Sequence, residues 1–99
     1  MNAFEKIYKV VSGIPKDKVI TYKKVAKQSG INNPRIVGFA LHANKNPLKI
    51  PCHRVVKSNG KLAKGYAFGG INQQREKLKS EGIRFKKDTI DGIYFYEGF

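Results

Sequence analysis

One cysteine, one methionine and no tryptophan occur among 99 residues, and each scarcity removes a class of explanation. A lone Cys52 excludes an intrachain disulfide and leaves a free thiol, as expected of a chain working inside the cell, in the cytoplasm or nucleus. One cysteine and two histidines, His42 and His53, are too few ligands for a zinc site, and no organic cofactor is implied. No apolar run approaches the roughly 20 residues of a bilayer span. No leader with a charged start and apolar core is seen, and no basic helix is rich enough in Phe to lie on a membrane. Acidic residues are scarce as well. Seven Asp and Glu stand against 20 Lys and Arg, a net charge of +13.

The distribution of that charge says more than its size. From Lys18 to Arg75 there is no acid at all, while Lys23, Lys24, Lys27, Arg35, Lys57 and Lys64 are among the cations there. Such a field attracts polyanions and gains affinity by releasing their counterions, so nucleic acid would meet the middle of the chain. A Lys-rich solvated surface is the plain alternative. Hydrophobic content of 40% in a chain this short supports one domain over residues 1–99, with a modest core.

Helices dominate the pattern. Phe4, Ile7, Val10 and Val11 recur at helical spacing until Ser12-Gly13 and Pro15 stop them. After a turn over Pro15 to Lys18 and an apolar Val19-Ile20, Thr21 is placed to cap a second helix that ends at Gly30. Asn33 caps a third, with Pro34 in its first position, running to about Ala43 and offering Ile36, Val37, Ala40 and Leu41 for packing. Two helices separated by a short Gly/Asn turn read as a helix-turn-helix. Asn44 to Pro51, with two prolines, reads as an extended loop. Val55-Val56 and the turn signal Ser58-Asn59-Gly60 suggest a small β wing. Ile71 to Glu81 reads as a polar helix closed by Gly82, and the tail from Ile83 as one or two strands. The expected fold is mainly α with a small β wing, a winged helix-turn-helix.

The chemistry gathers in Ile50-Pro51-Cys52-His53-Arg54-Val55. A thiol is a weak nucleophile until ionised, and a neighbouring base in cationic surroundings eases that ionisation. Adjacent side chains on an extended strand point to opposite faces, so His53 would reach Cys52 through a water. A buried structural cysteine beside a satisfied histidine fits the same letters.

Further landmarks join that run. Thr21-Tyr22 before Lys23 to Ala26, Arg35-Ile36-Val37-Gly38, Asn44 with Pro47, Gly65-Tyr66 with Gly69-Gly70, and Glu81-Gly82 follow in order. Together they resemble the C-terminal, active-site domain of the O6-alkylguanine-DNA alkyltransferases, the methylated-DNA–protein-cysteine methyltransferases. The resemblance implies a monomer that enters the minor groove of double-stranded DNA, flips an O6-alkylguanine out of the stack and takes its alkyl group irreversibly onto Cys52. It assigns His53 to forming the thiolate through a bound water, Glu81 to orienting that histidine, and Asn44 to bracing the turn. Tyr22 would press on the target phosphate and donate a hydrogen bond near the leaving guanine, and Arg35 would fill the vacated stack. Val55, through its backbone, and Tyr66 would hold the flipped base; Ala40 and Arg54 are placed on the DNA-binding side. Seen alone, Tyr22 could pack at a helix start, Arg35 could be a surface cation and Glu81 a surface carboxylate.

Two departures stand out. The resemblance begins at the usual member's second domain, so a chain that is naturally short or cut from a fusion is expected, and Ala67-Phe68 replaces the serine that many members carry after the tyrosine. Phe68 is therefore expected to alter the pocket's width. Alkyltransferase-like proteins, which bind O6-alkylguanine as a lesion sensor and recruit another repair pathway, share the domain but typically carry tryptophan at the Cys52 position. Cysteine favours the transferase over the sensor, and Pro-Cys-His-Arg favours both over a winged-helix regulator.

Overall fold

Four helices and four two-residue strands build the chain in the computed structural model, which describes residues 1–99. Helix α1 (Ala3–Ser12) starts where the Asn2 side chain accepts the Glu5 amide at 2.8 Å, and buries Ile7 and Val11. Strand β1 (Ile20–Thr21) leads straight into α2 (Tyr22–Ser29), because the Thr21 hydroxyl accepts the Lys24 amide at 3.0 Å. Gly30, left-handed at φ 72°, ends α2 and lets the Ile31 amide close on the Ala26 carbonyl at 2.8 Å. Asn33 caps α3 (Pro34–His42) with Pro34 at its start.

Helices α1, α2 and α3 pack on one another around Ile7, Val11, Val25, Val37 and Ala40, all fully buried. Ala40 is thus a core residue. Its side chain has no exposed surface and its carbonyl receives the Tyr8 hydroxyl at 2.6 Å, so it cannot meet DNA as the sequence reading placed it.

The loop from Asn44 to Pro51 is folded on itself rather than extended. Asn44 Oδ1 accepts the Asn46 amide and Asn44 Nδ2 donates to the Ile50 carbonyl, both at 2.9 Å, so the asparagine supplies the turn that prolines alone would not. Cys52–Arg54 then forms a 3-10 turn leading into β2 (Val55–Val56). The wing expected as a hairpin after Val56 takes another form: β2 pairs in parallel with β1, Ile20 opposite Val55, and only Lys61 bridges onward, to Thr89. Gly60, at φ 82°, lies where a Cβ would come within 2.8 Å of the Ile90 carbonyl.

Helix α4 (Gly70–Ser80) and the hairpin of β3 (Phe85–Lys86) with β4 (Thr89–Ile90) complete the chain. Leu78, Ile83 and Ile90 join Val19 and Val56 in a second cluster, while the tail pairs beside β1 through Val19 and Phe95. The architecture is a three-helix helix-turn-helix with its small strands gathered against α4. No helix is long and apolar enough to cross a membrane.

Candidate active site

Pro51 shapes the cysteine's backbone. At φ −75° and ψ 72° it makes an inverse γ-turn, closed by the Cys52 amide on the Ile50 carbonyl at 2.7 Å. The carbonyl of Ile50 also takes Asn44 Nδ2, so Asn44 ties the end of α3 to the residue before the turn. Cys52 is 4% exposed at the base of a cavity of about 480 Å³, within the range of small-molecule sites. Burial pushes its thiol above the usual value, while a hydrogen bond from Asn44 and the positive charge of Lys77 pull the other way.

His53 leaves the same turn but points inward. Its Nε2 lies 2.9 Å from Glu81 Oε2, and its Nδ1 is buried with no hydrogen-bond partner in the protein. Burial holds the imidazole below its ordinary pKa despite Glu81, so it is neutral near pH 7. Burial opposes ionisation of Glu81 too, but hydrogen bonds from Arg54 and His53 outweigh it and keep its carboxyl below the usual range. An ionised Glu81 accepts only, so Nε2 must carry the ring proton and Nδ1 is left as the base.

Arg54 completes this arrangement and thereby departs from its expected place on the DNA side. Its Nε and Nη2 reach the two Glu81 oxygens at 2.9 and 2.7 Å, and Nη1 donates to the Ile14 carbonyl at 2.7 Å. Glu81 is thus no surface carboxylate. A 3-10 turn, unlike the extended strand expected, brings His53 and Arg54 to one carboxylate.

Tyr22, Arg35 and Tyr66 all stand on the cavity wall with Cys52. Burial raises the Tyr22 phenol above its ordinary range, so it remains a hydroxyl donor. The Tyr66 hydroxyl is buried and has no partner. Val55 is fully buried and offers only its backbone, whose carbonyl takes Gln74 Nε2 at 3.2 Å and keeps a second lone pair. Ala67 lines the cavity, whereas Phe68 packs edge-on behind Tyr66 at 5.7 Å and against the core, off the cavity wall. Phe68 was expected to alter the pocket's width, but it is not among the residues lining the cavity.

Three contributors were missed in the sequence. Phe39, 65% exposed, lies one turn beyond Arg35 and shares the cavity rim. Gln74, 2% exposed, donates to the carbonyls of His53 and Val55. Lys77 places its ammonium 5.7 Å from the centre of the Tyr66 ring. The spacing of Gln74, Lys77 and Glu81 on one helix face was the available signal. His42 is exposed and bonds the Gly65 carbonyl through Nδ1 at 3.3 Å, joining α3 to the loop over the cavity.

A second groove lies beside the start of α3, where Lys23, Lys27 and Lys57 surround Asn32 and Pro34. Helix starts and lysines together suit phosphate.

Residues 2–83 match the family model of the 6-O-methylguanine DNA methyltransferase DNA-binding domain. A methylated-DNA–protein-cysteine methyltransferase of Methanothermobacter thermautotrophicus is 42% identical over 78 residues, 79% of this chain and 43% of that protein. This chain spans about half the length of the curated relatives it matches. The crystal structure of S. pombe Atl1 in complex with damaged DNA containing O6-carboxymethylguanine superposes with a TM-score of 0.81 at 27% identity, covering 96% of this chain and 94% of that one. That of Mycobacterium tuberculosis O6-methylguanine methyltransferase gives 0.72 at 35% identity, over 82% of this chain and 48% of that one.

Proposed function

The chain belongs to the family of the 6-O-methylguanine DNA methyltransferase DNA-binding domain, and from that premise we propose that it transfers an alkyl group from O6-alkylguanine in DNA to its own Cys52. The observation that carries this reading is a buried thiol on the wall of a base-sized cavity, next in the chain to a neutral histidine whose Nδ1 is unpartnered and whose Nε2 is anchored on Glu81.

In the duplex O6 lies on the paired, major-groove edge of the guanine, out of reach of a thiol buried in a cavity, so the base must be turned out into that cavity before the thiol can reach it. Phosphates would seat on Lys23, Lys27 and Lys57, and Arg35 would occupy the gap that the base leaves. Inside, the unpaired Tyr66 hydroxyl suits the polar edge of a purine.

His53 Nδ1 takes the thiol proton, through a water where the two are not in contact, and Glu81 stabilises the imidazolium while it lasts. The thiolate attacks the alkyl carbon from the side opposite O6. One S–C bond forms and one C–O bond breaks. The guanine leaves with the electron pair and gains a proton on a ring nitrogen, for which the Tyr22 hydroxyl on the cavity wall is the donor, and the proton that the thiol lost replaces it. No cofactor enters the balance, and the thioether has no route back, so each protein acts once.

Intact mass after incubation with duplex DNA containing O6-methylguanine tests the reading. A gain of one methyl in place of hydrogen, mapped to Cys52 and absent in Cys52→Ser, is expected. Tight lesion binding with unchanged mass would instead favour a lesion sensor, the reading that likeness to Atl1 over nearly its whole length supports.

A further inference from the structure

Helix α4 and its C-cap residue place three polar side chains, Gln74, Lys77 and Glu81, at a spacing that repeats on one side of the helix. The outer two are fixed by their bonds. Gln74 clasps the His53 and Val55 carbonyls at 2.9 and 3.2 Å, and Glu81 holds His53 and Arg54. Lys77 lies between them, half-buried, with its ammonium over the ring of Tyr66 on the cavity wall. No carboxylate pairs with it; Glu81 is already shared by His53 and Arg54.

We propose that Lys77 is an electrostatic positioning residue whose charge, held over the Tyr66 ring on the wall of the cavity that Cys52 shares, favours ionisation of the buried thiol. The proposal rests on the function inferred above only for its use, since the field acts on the thiol whatever the thiol attacks.

Other groups around the sulfur do less. Tyr8 from α1 and Tyr22 from α2 are neutral phenols, both held protonated chiefly by burial. Arg54 on the turn is matched by Glu81. Arg35, His42 and Lys64 line the cavity but are exposed, so water screens them. Lys77 therefore supplies the least screened positive charge that no carboxylate matches. The same charge that favours the thiolate disfavours protonation of His53.

Cys52 is the single cysteine, so the rate of alkylation by iodoacetamide against pH reads its ionisation without DNA or base. In Lys77→Met the midpoint of that profile should move to higher pH. At neutral pH the rate should fall by about three- to tenfold, a tenfold loss being one pH unit, and the two proteins should converge in alkali, where both thiols are ionised. Lys77→Arg should restore the profile, and an unchanged melting temperature excludes unfolding. An unmoved midpoint, or the same fractional loss at every pH, would overturn the proposal. Transfer from free O6-benzylguanine is followed alongside: a normal thiol profile without transfer would sink the transferase reading and leave Lys77's role standing.

Discussion

His53 carries two ring nitrogens in opposite surroundings, one bound to a carboxylate and one buried without a partner. That asymmetry fixes its tautomer and its work. Glu81→Gln removes the charge that holds the proton on Nε2, so transfer should slow about tenfold from duplex DNA and from free O6-benzylguanine alike. The same change strips Arg54 of its ionic partner, and with side-chain exposures of only 15% and 12% for Arg54 and Glu81 it should cost on the order of 3 kcal/mol in urea unfolding. Acid should destabilise the protein in two stages. His53 has a folded pKa below its unfolded one, so the unfolded chain takes up the proton first, and stability is full above about pH 6.5 and declines below it. Glu81 contributes stability above the ordinary carboxylate range that is lost as pH falls through its depressed folded value. Urea midpoints against pH should show both declines, and His53→Gln should abolish the first; its persistence would move the titration to another group. The run Pro51 to Arg54 exposed the cysteine and histidine in sequence, yet not the direction of Arg54. Neighbours on a strand alternate faces, whereas the 3-10 turn closed by Pro51 sends both basic side chains to one acid.

Elements were most legible where a side chain caps them. Thr21, Asn33 and Pro34 start α2 and α3, and Gly30 and Gly82 mark ends, because each solves a local backbone need that residue type reveals. Strands of two residues carry no such signal. Val55-Val56 was visible, but its partner, Ile20-Thr21, lies 35 positions earlier, and pairing over that distance is settled by tertiary packing. Gly60 marks the joint between the remnant wing and β4. Gly60→Ala would combine an unfavourable φ with a 2.8 Å approach to the Ile90 carbonyl, so a loss of about 2 kcal/mol in thermal or urea unfolding is expected. On α3 the exposed face shows Arg35 and Phe39 one turn apart. A guanidinium plane and an aromatic ring on the cavity rim both suit an opened base stack. Arg35→Ala and Phe39→Ala should each slow repair of duplex DNA by about ten- to a hundredfold, the rate equivalent of a few kcal/mol. Transfer from free O6-benzylguanine needs no unstacking and should hardly change. Equal losses on both substrates would return these residues to the pocket or the fold.

Charge operates at the scale of the whole molecule, and the folded structure sorts the acid-free span that the sequence revealed. Arg54 turns inward to Glu81, Arg75 lies over Phe85 and bonds the Lys87 carbonyl, and Lys18 donates to the Ile93 carbonyl. These three are occupied by the protein itself. Lys23, Lys27 and Lys57 surround the start of α3, while Arg35 and Lys64 stand on the adjoining cavity wall. A duplex laid across α3 would neutralise its phosphates with these five, not with the full excess of 13 charges. Each neutralised phosphate contributes about 0.9 to the fall of log affinity with log salt. The slope on undamaged duplex should therefore lie at about 4.5, where the net charge alone would suggest more than twice that. Lys57→Ala should lower it by about 0.9 and weaken all sequences alike, because a phosphate contact carries no base information. Lys79→Ala and Lys86→Ala, on α4 and β3 away from both grooves, should leave the slope unchanged. Fluorescence anisotropy across a salt series measures all four proteins. A slope that tracks total charge, falling equally for every lysine removed, would mean that the whole basic surface binds DNA and that α3 does not define its path.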